Sequence, residues 1–458
     1  MDGETFRRFV LEHSADDTSR LLLSRGKWQD VDVNAAVTAI ECRRKIRTKL
    51  PEWYAEAGIV YPDRICAEQS SSSGTAAYKA EVARRIIASG KADGASECAG
   101  RIADLTGGLG VDSLAFSRVA SEVLYNEMAP ERAEAARHNF PLLGARNVKV
   151  ISHCVQPGAG EPSLEPGDFW NILRDFRPDL IYMDPARRSS TGSKVFLLED
   201  CSPDVLTLLP DIFCIVPDLL LKLSPMADIS MLVRRLEERG AGVVEVHIVA
   251  SAGECKELLL WVRNGKTQGT ALIVNEDEHI LSFPASSFGQ DSEPSGAEQK
   301  PLFMEAPEQL RSMQYLFEPG KALAKAGLFN AVCTMFSGAS TASCLLKAGR
   351  STHLYFFGNV LREADDVPKP CSDKDIDIRD FGKVFRILEV EPLCKQSIKA
   401  FSVRYPKAEV SARNIPMTSD ELRKRLKVAS GGGVHIFGLR VDFLSAPSAN
   451  FLIAVSRA

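Results

Sequence analysis

The 458-residue sequence lacks several features that would assign it to a particular class of protein. It has no apolar run of the roughly 18 residues that a membrane-spanning helix needs. Its first residues, MDGETFRRFVLEH, lack the apolar core of a secretory signal. Its 11 cysteines include no Cys-x-x-Cys pair, so the spacing typical of a zinc site is missing. We therefore expect a cytoplasmic protein with reduced thiols, no metal and no membrane partner.

The net charge of −4 is distributed unevenly. Residues 381–458 contain 13 Lys and Arg against 6 Asp and Glu, a net charge of +7, which leaves −11 for residues 1–380. A basic terminal domain on an acidic body is typical of an appendage that binds a polyanion such as RNA. A solvated basic surface without a ligand would have the same composition.

Between residues 101 and 276, short apolar runs alternate with helix-compatible stretches. The runs are RIADL, EVLYNE, NVKVISH, DLIYMDP, FCIVPDLLLKL, VVEVHIVA and ELLLWV. This alternation predicts an α/β domain with a doubly wound, Rossmann-like parallel sheet. Ligands of such sheets bind beyond the carboxyl ends of the strands. The polar or reactive side chains expected at those ends are Asp104, Glu127, Cys154, Asp184 and Lys222.

The rest of the chain divides by composition and pattern. Residues 1–95 are predicted to be a mainly helical N-terminal region, and the sheet domain is expected to cover 96–278. Residues 279–375 are predicted to be a linker followed by a small domain. Residues 381–458 alternate strands and helices, which predicts a compact α+β module. Thr418 begins a Ser/Thr-x-x-Glu capping box inside that module.

The stretch ADLTGGLGVD combines an acidic residue with a glycine-rich turn before a helix-compatible segment. Because glycine accepts positive φ and lets a ligand approach the backbone, Gly107, Gly108 and Gly110 predict a cradle for a small molecule. The spacing G-G-x-G is neither the dinucleotide fingerprint nor a P-loop. Glu127 follows Asp104 by 23 residues and could accept hydrogen bonds from both hydroxyls of a ribose. S-adenosylmethionine therefore suits the loop better than a dinucleotide; the alternative is a structural turn with a solvent-facing Glu127.

The motif DPARR follows the fourth apolar run. Asp184, fixed by Pro185, could accept a hydrogen bond from an attacking amine or orient a nucleobase. Methyl transfer is an in-line displacement in which positioning matters most. Arg187 and Arg188 could grip phosphate or stack on a base, or could form ordinary salt bridges. Lys222 could neutralise a substrate phosphate or occupy an ordinary surface position.

Together, DLTGGLGVD, the acidic residue after the second strand and DPARR resemble the class I S-adenosylmethionine-dependent methyltransferases. More narrowly, the chain resembles bacterial RNA methyltransferases that end in a THUMP-like domain. The likeness runs from PEWYAEAGIVYP to the last strand. It includes the blocks EQSSSSGTAAYKA, DPARRSSTGSKVFLLEDCSPDV, LKLSPMADIS, HIVASAGECKELL, YLFEPGKALAKAGLF and VSARNIPMTSDELRKRL.

The resemblance implies that the loop binds the methionine part of S-adenosylmethionine and that Glu127 binds its ribose. The expected cofactor-binding residues are Asp104, Thr106, Gly107, Gly108, Gly110, Asp112 and Glu127, with Gln69, Ser71 and Thr75 from EQSSSSGTAAYKA. DPARR would form the methyl-acceptor site, with Asp184, Pro185 and Arg187 as its catalytic residues. Where related enzymes often place an aspartate near adenine, this chain has His153 and Cys154, so backbone groups or another side chain would recognise that base.

The resemblance further implies that the terminal domain delivers RNA to the catalytic domain, in agreement with its basic charge. It also implies that residues 315–357 form a small ferredoxin-like insert. The residues expected to contact RNA are Arg188, Lys222, Arg413 and Asn414. The leading hypothesis is methylation of a base in rRNA or tRNA. The alternatives are a DNA adenine methyltransferase, although DPAR lacks the aromatic residue that stacks on a flipped base, and a non-catalytic RNA-binding protein.

Overall fold

The computed structural model of the chain describes residues 3–90, 100–158, 168–187, 198–285, 303–336, 345–350, 352–358 and 377–458. Two compact units make up the chain: Met1–Val246 with Leu258–Gln268, and His247–Glu257 with Gly269–Ala458. Within the described ranges, no helix has both the length and the apolar character required to cross a membrane.

The first unit begins with a series of helices that leads into an alternation of strands and helices. Its helices are α1 (Gly3–Glu12), α2 (Thr18–Leu23), α3 (Val33–Ile46), α4 (Pro51–Ala55), α5 (Arg64–Gln69), α6 (Ser73–Ser89), α7 (Val111–Phe116), α8 (Pro130–Leu142), α9 (Phe169–Phe176), α10 (Val205–Phe213) and α11 (Ile229–Glu237). Many of them start at an aspartate whose carboxylate accepts hydrogen bonds from the first free N–H groups, as at Asp32 before α3 and Asp228 before α11. Ser72 and Thr75 form a reciprocal capping box at the start of α6.

The sheet of the first unit has the predicted parallel, doubly wound arrangement. Its strands include β1 (Arg101–Asp104), β2 (Glu122–Asn126), β3 (Val148–Ile151), β4 (Leu180–Met183) and β7 (Asp218–Leu223). The short strands β5 (Ala186–Arg187) and β6 (Cys201–Ser202) form a separate two-stranded sheet. The long strands β8 (Ala241–Ser251) and β9 (Glu254–Asn264) have residues in both units. The order is β3-β2-β1-β4-β7-β9, with β9 antiparallel to β7. Because the chain reverses its winding direction at β1 and β4, a ligand is expected beyond their carboxyl ends.

The helices that precede β1 share one hydrophobic core with the sheet. Buried side chains of α1 and α3, such as Phe9 and Ile40, belong to the same cluster as Ile102 and Val123 of the central strands. Ile86 of α6 joins that cluster too. The N-terminal helices are therefore part of the body that holds the glycine loop.

The second unit contains a hairpin and a mixed α/β layer. Its elements are β10 (Ala271–Glu276), β11 (His279–Phe283), α12 (Pro307–Ser312), β12 (Tyr315–Pro319), α13 (Lys321–Ala326), α14 (Phe329–Met335), β13 (Leu346–Gly349), β14 (Thr352–Phe357), β15 (Gly382–Pro392), α15 (Lys395–Arg404), β16 (Glu409–Arg413), α16 (Ser419–Leu426), β17 (Val434–Val441) and β18 (Ala449–Arg457). Seven of these strands form one sheet in the order β13-β14-β12-β15-β18-β17-β16. The strands within residues 315–357 thus extend the sheet of the terminal module.

The two faces of this sheet carry separate cores. Phe437 and Ile453 point into a cluster that includes Met304 and Leu310. Their neighbours Ile436 and Leu452 point the other way, into a cluster formed with residues of α15 and α16. This alternation is the period of two expected for β-strands that are covered on both faces. Helices α15 and α16 therefore form a layer on one face of the sheet.

Candidate active site

Asp104 ends β1 at the point where the sheet changes winding direction. Its side chain is buried, with Oδ1 accepting the N–H of Thr106 (3.0 Å) and Oδ2 accepting the hydroxyl of Ser113 (2.6 Å). Burial raises the pKa of Asp104 to about 7, although both hydrogen bonds act in the opposite direction. Asp104 is thus a buried carboxyl group whose charge can change near neutral pH.

The glycine loop follows Asp104, and different structural constraints explain why its positions are occupied by glycine. A Cβ atom at Gly107 would lie 2.0 Å from the ring of Tyr125, so this position must be glycine for the ring to fit. Gly108 and Gly110 have φ of +55° and +93°, a region that side-chain-bearing residues adopt only at a cost. At Gly110 a Cβ would also meet Phe140 at 2.8 Å, whereas at Gly108 it would meet nothing within 4 Å. Gly108 therefore faces open space, and that the loop cradles a small molecule there stays a prediction.

Glu127 lies next to this cradle and is directly bonded to it. Its Oε2 accepts the N–H of Gly108 (3.0 Å) and its Oε1 accepts the N–H of Ala129 (3.0 Å). Tyr125, two residues earlier, donates its hydroxyl to the carbonyl of Gly108 (2.6 Å). The loop and the end of β2 are therefore fixed to each other from both sides of one glycine. Glu127 is buried in this structure and is not a solvent-facing side chain.

Asn126 is a site residue that the sequence did not reveal. Its Nδ2 donates to the carbonyls of Leu105 (3.1 Å) and His153 (3.0 Å), and its Oδ1 accepts the N–H of His153 (2.9 Å). This single buried amide joins the chain after β1 to the chain after β3. The peptide groups at His153 are thereby occupied, while Cys154 is exposed.

Asp112 is the centre of a buried network behind the glycine loop. Its Oδ2 accepts the hydroxyls of Ser71 (3.0 Å) and Tyr182 (2.8 Å), and its Oδ1 lies 3.3 Å from Nζ of Lys79. Lys79 is fully buried and also donates to the Ser71 hydroxyl (2.9 Å). Burial by itself would raise the pKa of Asp112, but Lys79, Lys222 and the two hydroxyl groups hold it below the usual value. Ser71 thus lies close to the end of the loop, and Lys79, which the sequence did not reveal as a site residue, bonds to its hydroxyl.

Thr75 and Gln69, which the sequence also predicts as cofactor-binding residues, differ in their exposure to solvent. Thr75 is buried, and its hydroxyl accepts the N–H of Ser72 (3.1 Å) within the capping box of α6. Gln69 is exposed at the end of α5. Lys79 belongs to the same block, in AAYKAEVA. The available signal was that Ala76 and Ala83, one helical turn before and after it, place this lysine on an apolar helical face.

Asp184 follows β4 and is held by two neighbours. Its backbone N–H donates to Oγ1 of Thr106 (2.6 Å), and its Oδ2 pairs with Nζ of Lys222 at the end of β7 (2.5 Å). The Lys222 side chain is 13% exposed, whereas that of Asp184 is 38% exposed. The structure therefore brings the glycine loop, Asp184 and Lys222 together at one edge of the sheet.

Pro185 and Arg187 of the DPARR motif follow Asp184 along the chain. Pro185 is buried, and Arg187 belongs to β5, which pairs with β6 through Cys201. Cys201 is fully buried. Arg188 lies outside the described residues.

Arg413 and Asn414 belong to the second unit and are both engaged there. Arg413 pairs with Glu318 of β12 (3.0 Å), and Asn414 donates its side-chain amide to the hydroxyl of Thr352 (2.5 Å). Asn414 also has φ of +56°, which asparagine tolerates better than most residues. These contacts give both residues a role in joining β16 to neighbouring elements of the unit.

The chain is similar to known proteins both in its terminal module and over its whole length. A family model described as THUMP domain-like matches residues 382–456. A solved structure of a putative methyltransferase from Porphyromonas gingivalis is similar with a TM-score of 0.73 and 27% identity, over 99% of this chain and 98% of that chain. This protein has a class I methyltransferase fold that ends in a THUMP-like domain. The resemblance drawn from the sequence and the predicted fold class are thereby confirmed.

Other solved structures are similar over a smaller part of the chain. A putative RNA methyltransferase from Pyrococcus horikoshii has 16% identity and a TM-score of 0.28, over 42% of this chain and 85% of that chain. A putative methyltransferase from Streptococcus mutans, solved in complex with SAH, has 12% identity and a TM-score of 0.25, over 40% of this chain and 96% of that chain. At these values neither structure supports an inference about individual residues. No curated protein matches the chain.

Proposed function

We propose that this protein is an S-adenosylmethionine-dependent methyltransferase that modifies a base in rRNA or tRNA. The observation that carries the proposal is the cradle at Gly108, which has open space where a side chain would stand and whose N–H is fixed by Glu127. The similarity of the whole chain to a putative methyltransferase supports the same reading.

The residues around the cradle suit the charge of the proposed cofactor. S-adenosylmethionine carries a positively charged sulfonium and an ammonium group, and the carboxyl groups of Asp104, Glu127 and Asp184 lie at the ends of neighbouring strands. When bound, the cofactor supplies an electrophilic methyl group. The loop around Thr106 and Gly108 would hold its methionine part, and Glu127 its ribose. Asp112 and Ser71 would act from behind the loop by fixing its position.

Asp184 is our candidate for contact with the methyl acceptor. Lys222 and the backbone bond to Thr106 hold this residue in place, and its Oδ1 atom has no hydrogen-bond partner among the described residues. A positioned carboxylate oxygen can accept a hydrogen bond from an N–H of the acceptor base and align its nitrogen for in-line attack. Pro185 and Arg187 complete the proposed acceptor site. Cys201 is unsuited to the covalent thiolate mechanism that methylation of a pyrimidine carbon requires, because its side chain is fully buried.

The proposed RNA partner is supported by the THUMP domain-like match and by the +7 charge of residues 381–458. In this proposal the terminal domain captures RNA, and Arg188, Lys222, Arg413 and Asn414 are the individual contacts we predict. Lys222 would make this contact while paired with Asp184.

The decisive experiment is transfer of tritiated methyl groups from S-adenosylmethionine to total RNA of a strain that lacks the gene. RNA of the parent strain and genomic DNA of both strains serve as matched acceptors. We expect label only in RNA of the deletion strain, because the parent RNA is already modified. Label in deletion-strain DNA would establish a DNA methyltransferase instead. If purified protein binds S-adenosylmethionine but labels neither nucleic acid, the proposed substrate is wrong; if it does not bind the cofactor, the site assignment is wrong.

A further inference from the structure

The positive charge of the terminal module is concentrated in its helical layer. Residues 393–431, which include α15 and α16, contain nine Lys and Arg against three Asp and Glu, a net charge of +6. The strands and turns in the rest of 381–458 contribute only +1. The charge asymmetry seen in the sequence is therefore an asymmetry between two parts of one folded module.

The fold directs these cations to solvent. Phe401 of α15 and Leu422 and Leu426 of α16 are buried against the sheet, so the opposite sides of both helices face outward. Six cations in this layer are exposed and form no ion pair within the described residues. They are Lys395, Lys399, Lys407, Lys424, Arg425 and Lys427, which we call the basic helical face. By contrast, Arg404 and Arg423 of the same helices pair with Glu389 and Glu409.

A glycine turn borders this face. Gly431, Gly432 and Gly433 have φ of +102°, +89° and +73°. A Cβ at Gly432 would lie 2.5 Å from the carbonyl oxygen of Lys407, whereas Gly431 and Gly433 have open space around them. Lys407 also bridges to Ala429, two residues after Lys427. The turn thus lies against the backbone of Lys407, and its Gly431 N–H donates to Oε1 of Glu409 (2.9 Å), so a carboxylate occupies this border of the face and phosphates are expected at the lysines instead.

We propose that the basic helical face is the surface that binds the sugar-phosphate backbone of RNA. The inference rests on the proposed RNA partner and specifies where that partner binds. Five of the six cations are lysines, which act as point charges and lack the planar fork that reads a base edge. The face therefore supplies affinity and orientation without sequence preference, which leaves recognition of the target base to the methyltransferase domain.

The test compares two triple variants of the full-length protein. Lys407→Gln, Lys424→Gln and Arg425→Gln remove three charges from the basic helical face. Lys383→Gln, Arg386→Gln and Arg457→Gln remove three exposed charges from β15 and β18 of the same module. Both variants lower the net charge by the same amount, and circular dichroism and thermal unfolding establish that each is folded. Affinity for labelled total tRNA and for a labelled single-stranded RNA of mixed sequence is then measured at several KCl concentrations.

We expect the first variant to lose about 2 from the slope of log affinity against log salt, because each lost contact with a single-stranded phosphate removes about 0.7. Its affinity near 0.1 M salt should fall by roughly tenfold to a hundredfold. The strand variant should keep the slope of the wild type. Equal slopes for all three proteins, or an equal loss in the two variants, would overturn the assignment of the surface. Failure of the wild-type protein to bind either RNA would refute the proposed RNA partner itself.

Discussion

Adding one methyl group at each of two adjacent glycines should separate folding from cofactor binding. In Gly107→Ala the new Cβ would lie 2.0 Å from Cε2 of Tyr125, while carbon atoms in favourable contact are about 3.5–4.0 Å apart. The ring cannot retreat freely, because it is buried, packs edge-on against Phe140 and donates its hydroxyl to the carbonyl of Gly108. Overpacking costs about 1–3 kcal/mol, and loss of that hydrogen bond adds about 1 kcal/mol. We therefore expect the free energy of unfolding to fall by about 2–4 kcal/mol.

Gly108→Ala should behave differently although the positions are adjacent. The methyl group would enter open space, and the N–H bond to Glu127 can persist. The cost in stability is that of holding alanine at φ of +55°, about 1–2 kcal/mol. The same methyl group would occupy the space proposed for the cofactor. We expect affinity for S-adenosylmethionine to fall about tenfold, which corresponds to about 1.4 kcal/mol.

The assay combines urea unfolding with titration calorimetry of S-adenosylmethionine and S-adenosylhomocysteine. Gly108→Arg extends the series, since its long side chain should abolish binding while the protein remains folded. The assignment of the cradle would be refuted if both Gly108 variants bound the cofactor as tightly as the wild type. An unchanged free energy of unfolding for Gly107→Ala would refute the packing argument at Tyr125.

Three further predictions concern the carboxyl groups of the site. Burial raises the pKa of Asp104 to about 7, so unfolding between about pH 4 and 7 releases its proton. The free energy of unfolding should therefore fall as pH rises through this range, by up to about 1.4 kcal/mol per pH unit. Asp104→Asn should flatten this slope in urea titrations at several pH values, and an unaltered slope would contradict the raised pKa of Asp104. Lys79→Met leaves the carboxylate of Asp112 buried without its ammonium partner and should lower the free energy of unfolding by about 3–5 kcal/mol. The double variant Lys79→Met, Asp112→Leu should lose less stability than the sum of the losses in the two single variants. Strict additivity would show that the two groups do not interact. Thr106→Val removes the acceptor of the Asp184 N–H and should reduce methyl transfer to RNA more than it reduces cofactor affinity, the reverse order being inconsistent with a positioning role.

Local patterns predicted much of the architecture. The alternation of apolar runs gave the parallel strands, and the Ser/Thr-x-x-Glu pattern at Thr418 forms the reciprocal capping box that it predicts. Both signals depend on residues a few positions apart, whose geometry is set by the backbone itself. The run FCIVPDLLLKL shows the limit of such signals. Only Asp218–Leu223 is a strand, and Phe213 ends α10, because a continuous apolar run has no period that separates a buried helix from a buried strand.

The candidate site was predicted in its parts but not in its connections. The sequence identified the glycine loop, Glu127 and Asp184 without indicating that Asn126 ties the ends of β1 and β3 together. It did not indicate that Lys222 pairs with Asp184. Nor did it indicate that Arg413 pairs with Glu318, 95 positions earlier. Such partners are unrelated in sequence spacing and become neighbours only through packing.

The sequence by itself determined most of the segments that become strands and helices, the position of the glycine loop and how much positive charge the terminal module carries. Those properties follow from backbone conformational limits, hydrophobic period and composition, all of which are local or additive. Only the tertiary structure decided that Lys79 and Tyr182 support Asp112, and that six cations without an ion pair among the described residues lie on one helical layer. These outcomes depend on which distant side chains are buried together. Because burial removes water, the energy of a buried polar group depends on whether another protein group bonds to it.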